Sequence, residues 1–255
     1  MTQSTHCVKL MDFLSNQTCK NILKKHLPST KHQRHYRTFL TNLYCVFSGY
    51  KCGYLIDKVS VERDTILNIV QQIVLLELFV CHIRIVIINE DIVVLNVESF
   101  LNHLSTKQVF INVSSELSYP VLLTEDTQEV IQIKTFLHKT FNNTEPEVKI
   151  TIVEQGNLCV PTLVGLLLNF PIVYWHREDF DFNSVPLSVY KIMITPQSMG
   201  CSSQMMELYS FSSPVQFDND TLVRQFVNCL IRKLRMGGVS VELIQTKEQS
   251  DNVSL

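Results

Sequence analysis

The chain has 255 residues, of which 45% are hydrophobic and 18% are charged, and its formal net charge is -2. A chain of this kind can bury one sizeable core, and its 7 glycines and 8 prolines leave no segment with the composition of a flexible linker. A low-complexity chain is therefore excluded. We expect one globular domain over residues 1–255, with short flexible tails at about residues 1–4 and 246–255.

The amino-terminal residues 1–16 are polar and contain Lys9 and Asp12, so they lack the apolar run of a secretory signal. The eight cysteines lie far apart and include no C-x-x-C pair. This spacing is typical of reduced, buried thiols. Both observations predict a protein of the cytoplasm or the nucleus.

The first part of the chain has a helical pattern. Leu10 and Phe13 recur at helical spacing, which predicts a helix or a helix pair through much of residues 5–45. Residues 54–56 then form a short apolar run, and we interpret them as a strand with Asp57 at its end.

The middle of the chain alternates between helical and strand patterns. Ser60 is a candidate N-cap for an apolar helix that extends to Leu78. Two β-branched runs, 83–88 and 92–96, are joined by a short polar turn and predict a hairpin. A short helix over residues 97–104 should follow.

The predicted elements continue to the end of the chain. In order, they are a strand over 109–113, a helix starting at Thr124, a strand over 148–153, strands near 187–194 and 205–211, a helix from about 218 to Gly237, and a strand over 239–244. Strands and helices interleave, but two hairpins interrupt any pure β-α-β repeat. We therefore predict an α/β or α+β fold with a mixed β-sheet and helices on both faces.

Residues 156–175 contain no charge and include the only tryptophan, Trp175. The run is long enough for a transmembrane helix. However, Pro171 interrupts it, and a residue before proline avoids the helical conformation. A short buried helix over 161–168 followed by a core strand over 172–175 explains the same residues, and we favour this interpretation.

The apolar block 156–175, the Gly53-Tyr54-Leu55-Ile56-Asp57 element and the overall length resemble an uncharacterised eukaryotic family. This family is a domain of unknown function typified by the chromosome 1 open reading frame 74 protein. The resemblance covers nearly the whole chain. It implies membership only, because the family brings no established activity, cofactor or catalytic residue.

Sequence motifs leave the question of enzymatic activity open. The chain has no phosphate-binding P-loop, no G-x-G-x-x-G dinucleotide turn, no G-x-S-x-G nucleophile elbow and no H-E-x-x-H zinc helix. The sequence therefore contains no motif that would indicate one of these four common classes of enzyme, and no cofactor can be named.

A few polar residues follow predicted strands, where α/β proteins often bind ligands. If their strands are parallel neighbours, Asp57 and Glu154 could share a magnesium ion or act as an acid and base pair; otherwise each caps a following helix. Gly156 and Asn157 could form an anion-binding turn or a plain turn. His176 could be a general base or metal ligand, or belong to a surface loop.

Positive charge is segregated in the first part of the chain, because no acidic residue lies between Asp12 and Asp57. The cations there are Lys20, Lys24, Lys25, Lys31, Arg34, Arg37 and Lys51, and Tyr36, Phe39 and Tyr44 lie among them. A face around Lys24, Lys25, Arg34 and Arg37 could bind an acidic protein, or it could simply be solvated. The net charge of -2 and the lack of a known module disfavour nucleic acid.

Two hypotheses follow from these residues. The first is an intracellular interaction module without catalytic activity, whose basic face binds an acidic partner. The second is a small enzyme or ligand-binding protein for a phosphorylated or nucleotide-like ligand, with Asp57, Glu154 and His176 near the turn at Gly156. Neither hypothesis requires a membrane.

Overall fold

The structure is a computed structural model that describes residues 9–57, 61–124, 127–142, 148–153, 159–176, 185–196, 205–218, 220–235 and 238–249. Within these ranges, no helix is both long enough and apolar enough to cross a membrane.

The amino-terminal part is helical, as the spacing of its apolar residues predicts. Its helices are α1 (Leu10–Ser15), α2 (Gln17–His26), α3 (Thr30–Gln33) and α4 (Tyr36–Phe47). The side chains of Asn16 and Ser29 accept hydrogen bonds from the first turns of α2 and α3, so each of these helices begins at a residue that favours capping. Helix α1 packs against α4.

The first sheet has four strands in the order β1 (Gly53–Leu55), β3 (Asp91–Asn96), β2 (Ile83–Ile88) and β6 (Lys149–Val153). β2 and β3 form the predicted hairpin, and its turn contains Asn89 at φ 54°. This left-handed conformation suits asparagine in a two-residue turn. β6 runs parallel to β2, so the sheet is mixed.

The second sheet has the order β5 (Val121–Leu123), β4 (Val109–Asn112) and β7 (Ile172–Trp175). β7 follows α8 (Val160–Leu167), and both elements are largely buried. Helix α8 ends because Asn169 adopts φ 59° and the amide of Phe170 donates to the carbonyl of Gly165. The predicted buried helix and core strand are therefore confirmed.

The third sheet is antiparallel, with the order β10 (Val239–Gln249), β8 (Pro186–Pro196) and β9 (Met206–Pro214). A short 3-10 helix (Val215–Phe217) and α9 (Asp220–Arg235) connect β9 to β10. β10 extends beyond the predicted end at Ile244, and residues 246–249 pair with β8.

Helices cover both faces of the first sheet. They are α5 (Arg63–Val74), α6 (Val97–Leu104) and α7 (Gln128–Phe141), together with α1, α2, α4 and α8. Along β2, Ile83, Ile85 and Ile87 pack with α1, α2, α4 and α5, whereas Val86 and Ile88 pack with α6, α7 and α8. The predicted fold class is confirmed as α+β, with the strands divided among three sheets.

Two predicted helix starts are wrong by a few residues. Helix α5 begins at Arg63 with Glu62 in the N-cap position, and Ser60, the predicted cap, lies outside the described residues. Helix α7 begins after Thr127 rather than after Thr124. In the second case the Thr127 hydroxyl donates to the Thr124 carbonyl, at 2.8 Å, which holds a turn before the helix.

Candidate functional site

A cavity of about 350 Å³ lies where α4, β1 and the end of α8 meet the third sheet. Asn42 and Lys51 line it from α4 and the segment that follows, and Tyr54 lines it from β1. Leu168 and Phe170 follow α8, and the rest of the lining comes mainly from β8 and β9. The volume falls at the lower end of the range for small-molecule sites.

Lys51 is the charged residue that lies deepest in this lining. The amides of Tyr50 and Lys51 both donate to the carbonyl of Cys45, which turns the chain back at the end of α4. The Lys51 side chain is only 7% exposed. Its Nζ donates to Asn42 Oδ1 at 2.9 Å and to the carbonyl of Leu208 at 2.8 Å, so this side chain connects α4 to β9.

Aromatic rings surround the Lys51 ammonium. Nζ lies 4.6 Å from the ring centroid of Tyr209 and 5.8 Å from that of Tyr54. Both distances allow a cation–π attraction, which offsets part of the cost of burying the charge. Burial raises the pKa of both phenols, and the charge of Asp57 raises that of Tyr54 further. Both tyrosines therefore stay neutral near pH 7.

The nearby thiols are poor nucleophiles. Burial raises the pKa of Cys45 to about 12, although the charge of Lys51 opposes this effect. Burial raises the pKa of Cys52 to about 12 as well, against the charge of Lys233. Both thiols therefore stay protonated near neutral pH.

The exposed part of the cavity lining carries carboxylates. Asp57 and Glu248 line the cavity and are exposed, and Glu207 is half-buried. Lys191 is a second, half-buried cation. The most buried charge of the lining is therefore a cation, and its exposed charges are carboxylates.

Of the predicted catalytic residues, Asp57 belongs to this cavity, but the condition for its pairing with Glu154, that their strands are neighbours, is not met. β1 and β6 are not neighbours, because β3 and β2 lie between them. Three strand spacings separate β1 from β6, about 14 Å. Glu154, Gly156 and Asn157 themselves lie outside the described residues.

His176 lies at a different place in the fold. It follows β7 and is half-buried, and its backbone amide donates to Cys159 Sγ at 3.4 Å. It is not part of the cavity lining, whereas Asp57 is. In the described ranges, no group of three or more His, Cys, Asp or Glu side chains could hold a metal ion.

The four residues of the predicted basic face, Lys24, Lys25, Arg34 and Arg37, are all exposed. The Tyr36 hydroxyl contacts the carbonyls of Leu23 and Leu27, which holds the start of α4 against the end of α2. The end of α2, with Lys24 and Lys25, therefore lies beside the start of α4, with Arg37. Lys51, Phe39 and Tyr44, which lie among the cations of this part of the sequence, are buried and do not belong to the face.

A pH-sensitive contact joins α6 to α9. Lys233 Nζ donates to His103 Nε2 at 2.9 Å, so the imidazole is neutral with its proton on Nδ1. Burial lowers the pKa of His103 from 6.5, and the charge of Lys233 lowers it further. The unfolded chain therefore binds more protons near pH 6, and stability is lost as the pH falls below 6.5.

We expect His103→Gln to flatten the loss of stability between pH 7 and pH 5, because glutamine can accept the Lys233 hydrogen bond but does not titrate. Urea unfolding at a series of pH values measures this effect. His138→Gln, which changes an exposed residue of α7, is the control. Equal pH dependence in wild type and His103→Gln would contradict this account.

The fold and the cavity define an α+β protein with a site of small-molecule size. The family described as a domain of unknown function (DUF4504) matches residues 19–228 of the chain. This match covers most of the 255 residues, and the chain belongs to this family. No curated protein and no solved structure gives a significant match.

Proposed function

We propose that this protein binds a small molecule with an anionic group in the cavity beside Lys51. The observation that carries the proposal is a lysine that is only 7% exposed in the lining of a cavity of about 350 Å³. The ammonium already has polar and aromatic contacts, and an anionic ligand group beside it would add a charge-assisted hydrogen bond in a largely buried place. The aromatic and aliphatic lining can cover the rest of the ligand.

Binding is the form of this proposal that the side chains support best. The phenols are neutral, the thiols are protonated, and the strands before Asp57 and Glu154 are not neighbours, which was the condition for their pairing. Catalysis on a phosphorylated or nucleotide-like ligand, with Asp57 as a base, is the enzymatic alternative at the same site.

A thermal-shift screen tests the proposal. The panel contains small carboxylates, dipeptides, sugar phosphates and nucleotides, and a ligand that binds only the folded protein raises Tm. We expect at least one panel member to raise Tm by about 5 °C at a concentration of about 100 Kd.

Lys51→Met should lose this shift, because it keeps the length of the side chain and removes its charge. Lys139→Met removes an exposed lysine from α7 and should keep the shift. A screen with no shift, or a shift that survives in Lys51→Met, would contradict the proposal.

A second candidate function is binding of an acidic protein by the basic face. Lys24, Lys25, Arg34 and Arg37 are exposed, and none of them forms an ion pair with a carboxylate of the described residues. No aromatic side chain of the region is exposed, because Phe39 and Tyr44 are buried and Tyr36 is half-buried. The face therefore lacks the stacking platform that single-stranded nucleic acid needs.

We expect replacement of Lys24, Lys25, Arg34 and Arg37 by glutamate to abolish capture of acidic proteins from cell extract, and salt to weaken capture by the wild type. The control replaces four exposed cations elsewhere, Lys107, Lys139, Arg235 and Lys247. Unchanged capture by the first variant would exclude this function.

We further propose that residues 1–255 form a single domain of a soluble protein in the cytoplasm or nucleus. The wide spacing of the eight cysteines supports a reducing compartment. The apolar block 156–175 and the element 53–57 support a place in the eukaryotic group typified by the chromosome 1 open reading frame 74 protein. Cell fractionation tests the location, and recovery in the secreted fraction would exclude it.

A further inference from the structure

The charges of the cavity lining are arranged by depth. Lys51 is buried, whereas Asp57 and Glu248 are exposed. Glu207 and Lys191 are both half-buried and have opposite charges. Two carboxylates of the lining are therefore in contact with solvent, whereas the lysine is almost completely covered.

This arrangement discriminates between classes of ligand. A nucleotide or sugar phosphate carries only negative charge near neutral pH and is repelled by the carboxylates of Asp57 and Glu248. A simple amine would be attracted by these carboxylates but would bring a second cation towards Lys51. A ligand with a carboxylate at one end and an ammonium at the other can pair with Lys51 and with the exposed carboxylates at the same time.

The lining also contains apolar and aromatic surface. Leu168 and Phe170 follow α8, and Leu187 and Phe211 belong to β8 and β9. Phe170 and Phe211 are in contact, with ring centroids 5.8 Å apart. This surface can cover a hydrophobic ligand body.

We propose that the cavity binds a small zwitterion whose two charges lie at opposite ends and which also carries apolar surface, the chemistry of an apolar dipeptide or an ω-amino acid. The carboxylate faces Lys51, and the ammonium faces Asp57 and Glu248. This inference rests on the proposed function, because it names the ligand class of the same site.

The test uses three forms of one probe, the dipeptide alanyl-phenylalanine: the free peptide, its N-acetyl form and its C-terminal amide. Calorimetric titration measures the affinity of each form for the wild-type protein. N-acetylation should weaken binding about fivefold, because the lost partners are exposed carboxylates. Amidation should weaken binding by about 10-fold to 100-fold, because the lost partner is the buried Lys51.

Variants assign each effect to its residues. In the double variant Asp57→Asn, Glu248→Gln, both exposed carboxylates are neutral, and the free and N-acetyl peptides should bind equally. Glu242→Gln changes an exposed carboxylate of β10 outside the cavity and should keep the fivefold difference. Lys51→Met should remove the difference between the free peptide and the amide.

The outcomes separate this inference from the proposed function. If sugar phosphates or nucleotides bind in a Lys51-dependent manner and the free dipeptide does not, the zwitterion class is wrong and the proposed function stands. If the N-acetyl and free peptides bind equally to the wild type, the role of Asp57 and Glu248 is wrong. If no panel member binds, both proposals fall.

Discussion

Asp218→Ala is expected to lower the free energy of unfolding by about 2 to 3 kcal/mol. The Asp218 carboxylate accepts hydrogen bonds from Ser188 at 3.0 Å, from Tyr190 and from Gln245 at 3.0 Å. Ser188 and Tyr190 are fully buried on β8. Alanine would leave their hydroxyl groups without this acceptor, and that desolvation penalty is the main cost.

Urea unfolding of wild type and variant measures this loss. Asp64→Ala is the control, because the Asp64 side chain is 75% exposed and lies 4.0 Å from Arg63 in a surface pair. Exposed pairs of this kind contribute little to stability. If both substitutions change stability equally, Asp218 does not hold the segment before α9 against β8 and β10.

Gly53→Val is expected to lower the free energy of unfolding by about 3 kcal/mol, with Gly53→Ala somewhat less disruptive. A Cβ atom at Gly53 would lie 2.7 Å from the carbonyl oxygen of Leu167 and 3.2 Å from Cγ1 of Val93. The first contact is with backbone, so relief requires β1 and the end of α8 to separate. Tyr54 and Leu55 of β1 line the cavity, so ligand binding should weaken as well.

Gly238→Ala is the matched comparison for the alanine variant. A Cβ atom there meets nothing within 4 Å, but the residue has φ +68°. Its cost is therefore backbone strain alone, about 1 kcal/mol. Thermal unfolding should rank Gly53→Ala below Gly238→Ala in stability, and the reverse order would contradict the close approach of β1 to α8.

Periodicity predicts the elements that local sequence determines. The β2–β3 hairpin has two β-branched runs and a turn at Asn89, and α6 has bounds that match its apolar pattern. The break after α8 is also local, because Asn169 can adopt the left-handed conformation that ends the helix. The starts of α5 and α7 were less predictable, since several polar residues before each helix could act as caps.

The site depends on contacts that sequence spacing does not contain. Lys51 reaches the carbonyl of Leu208, which is 157 positions away in the chain, so its burial has no local signal beyond the neighbouring Tyr50 and Cys52. Strand order also determines whether the strands before Asp57 and Glu154 are neighbours. The β2–β3 hairpin inserts between β1 and β6, and no local pattern predicts this insertion.

The central claim is that the cavity beside Lys51 binds an anionic group of a small molecule. The most direct test is a crystal structure of the protein grown with the panel ligand that raises Tm most. The account predicts a ligand in the cavity with an anionic oxygen about 2.8 Å from Lys51 Nζ. A ligand bound elsewhere on the chain, with the cavity unoccupied, would contradict the claim.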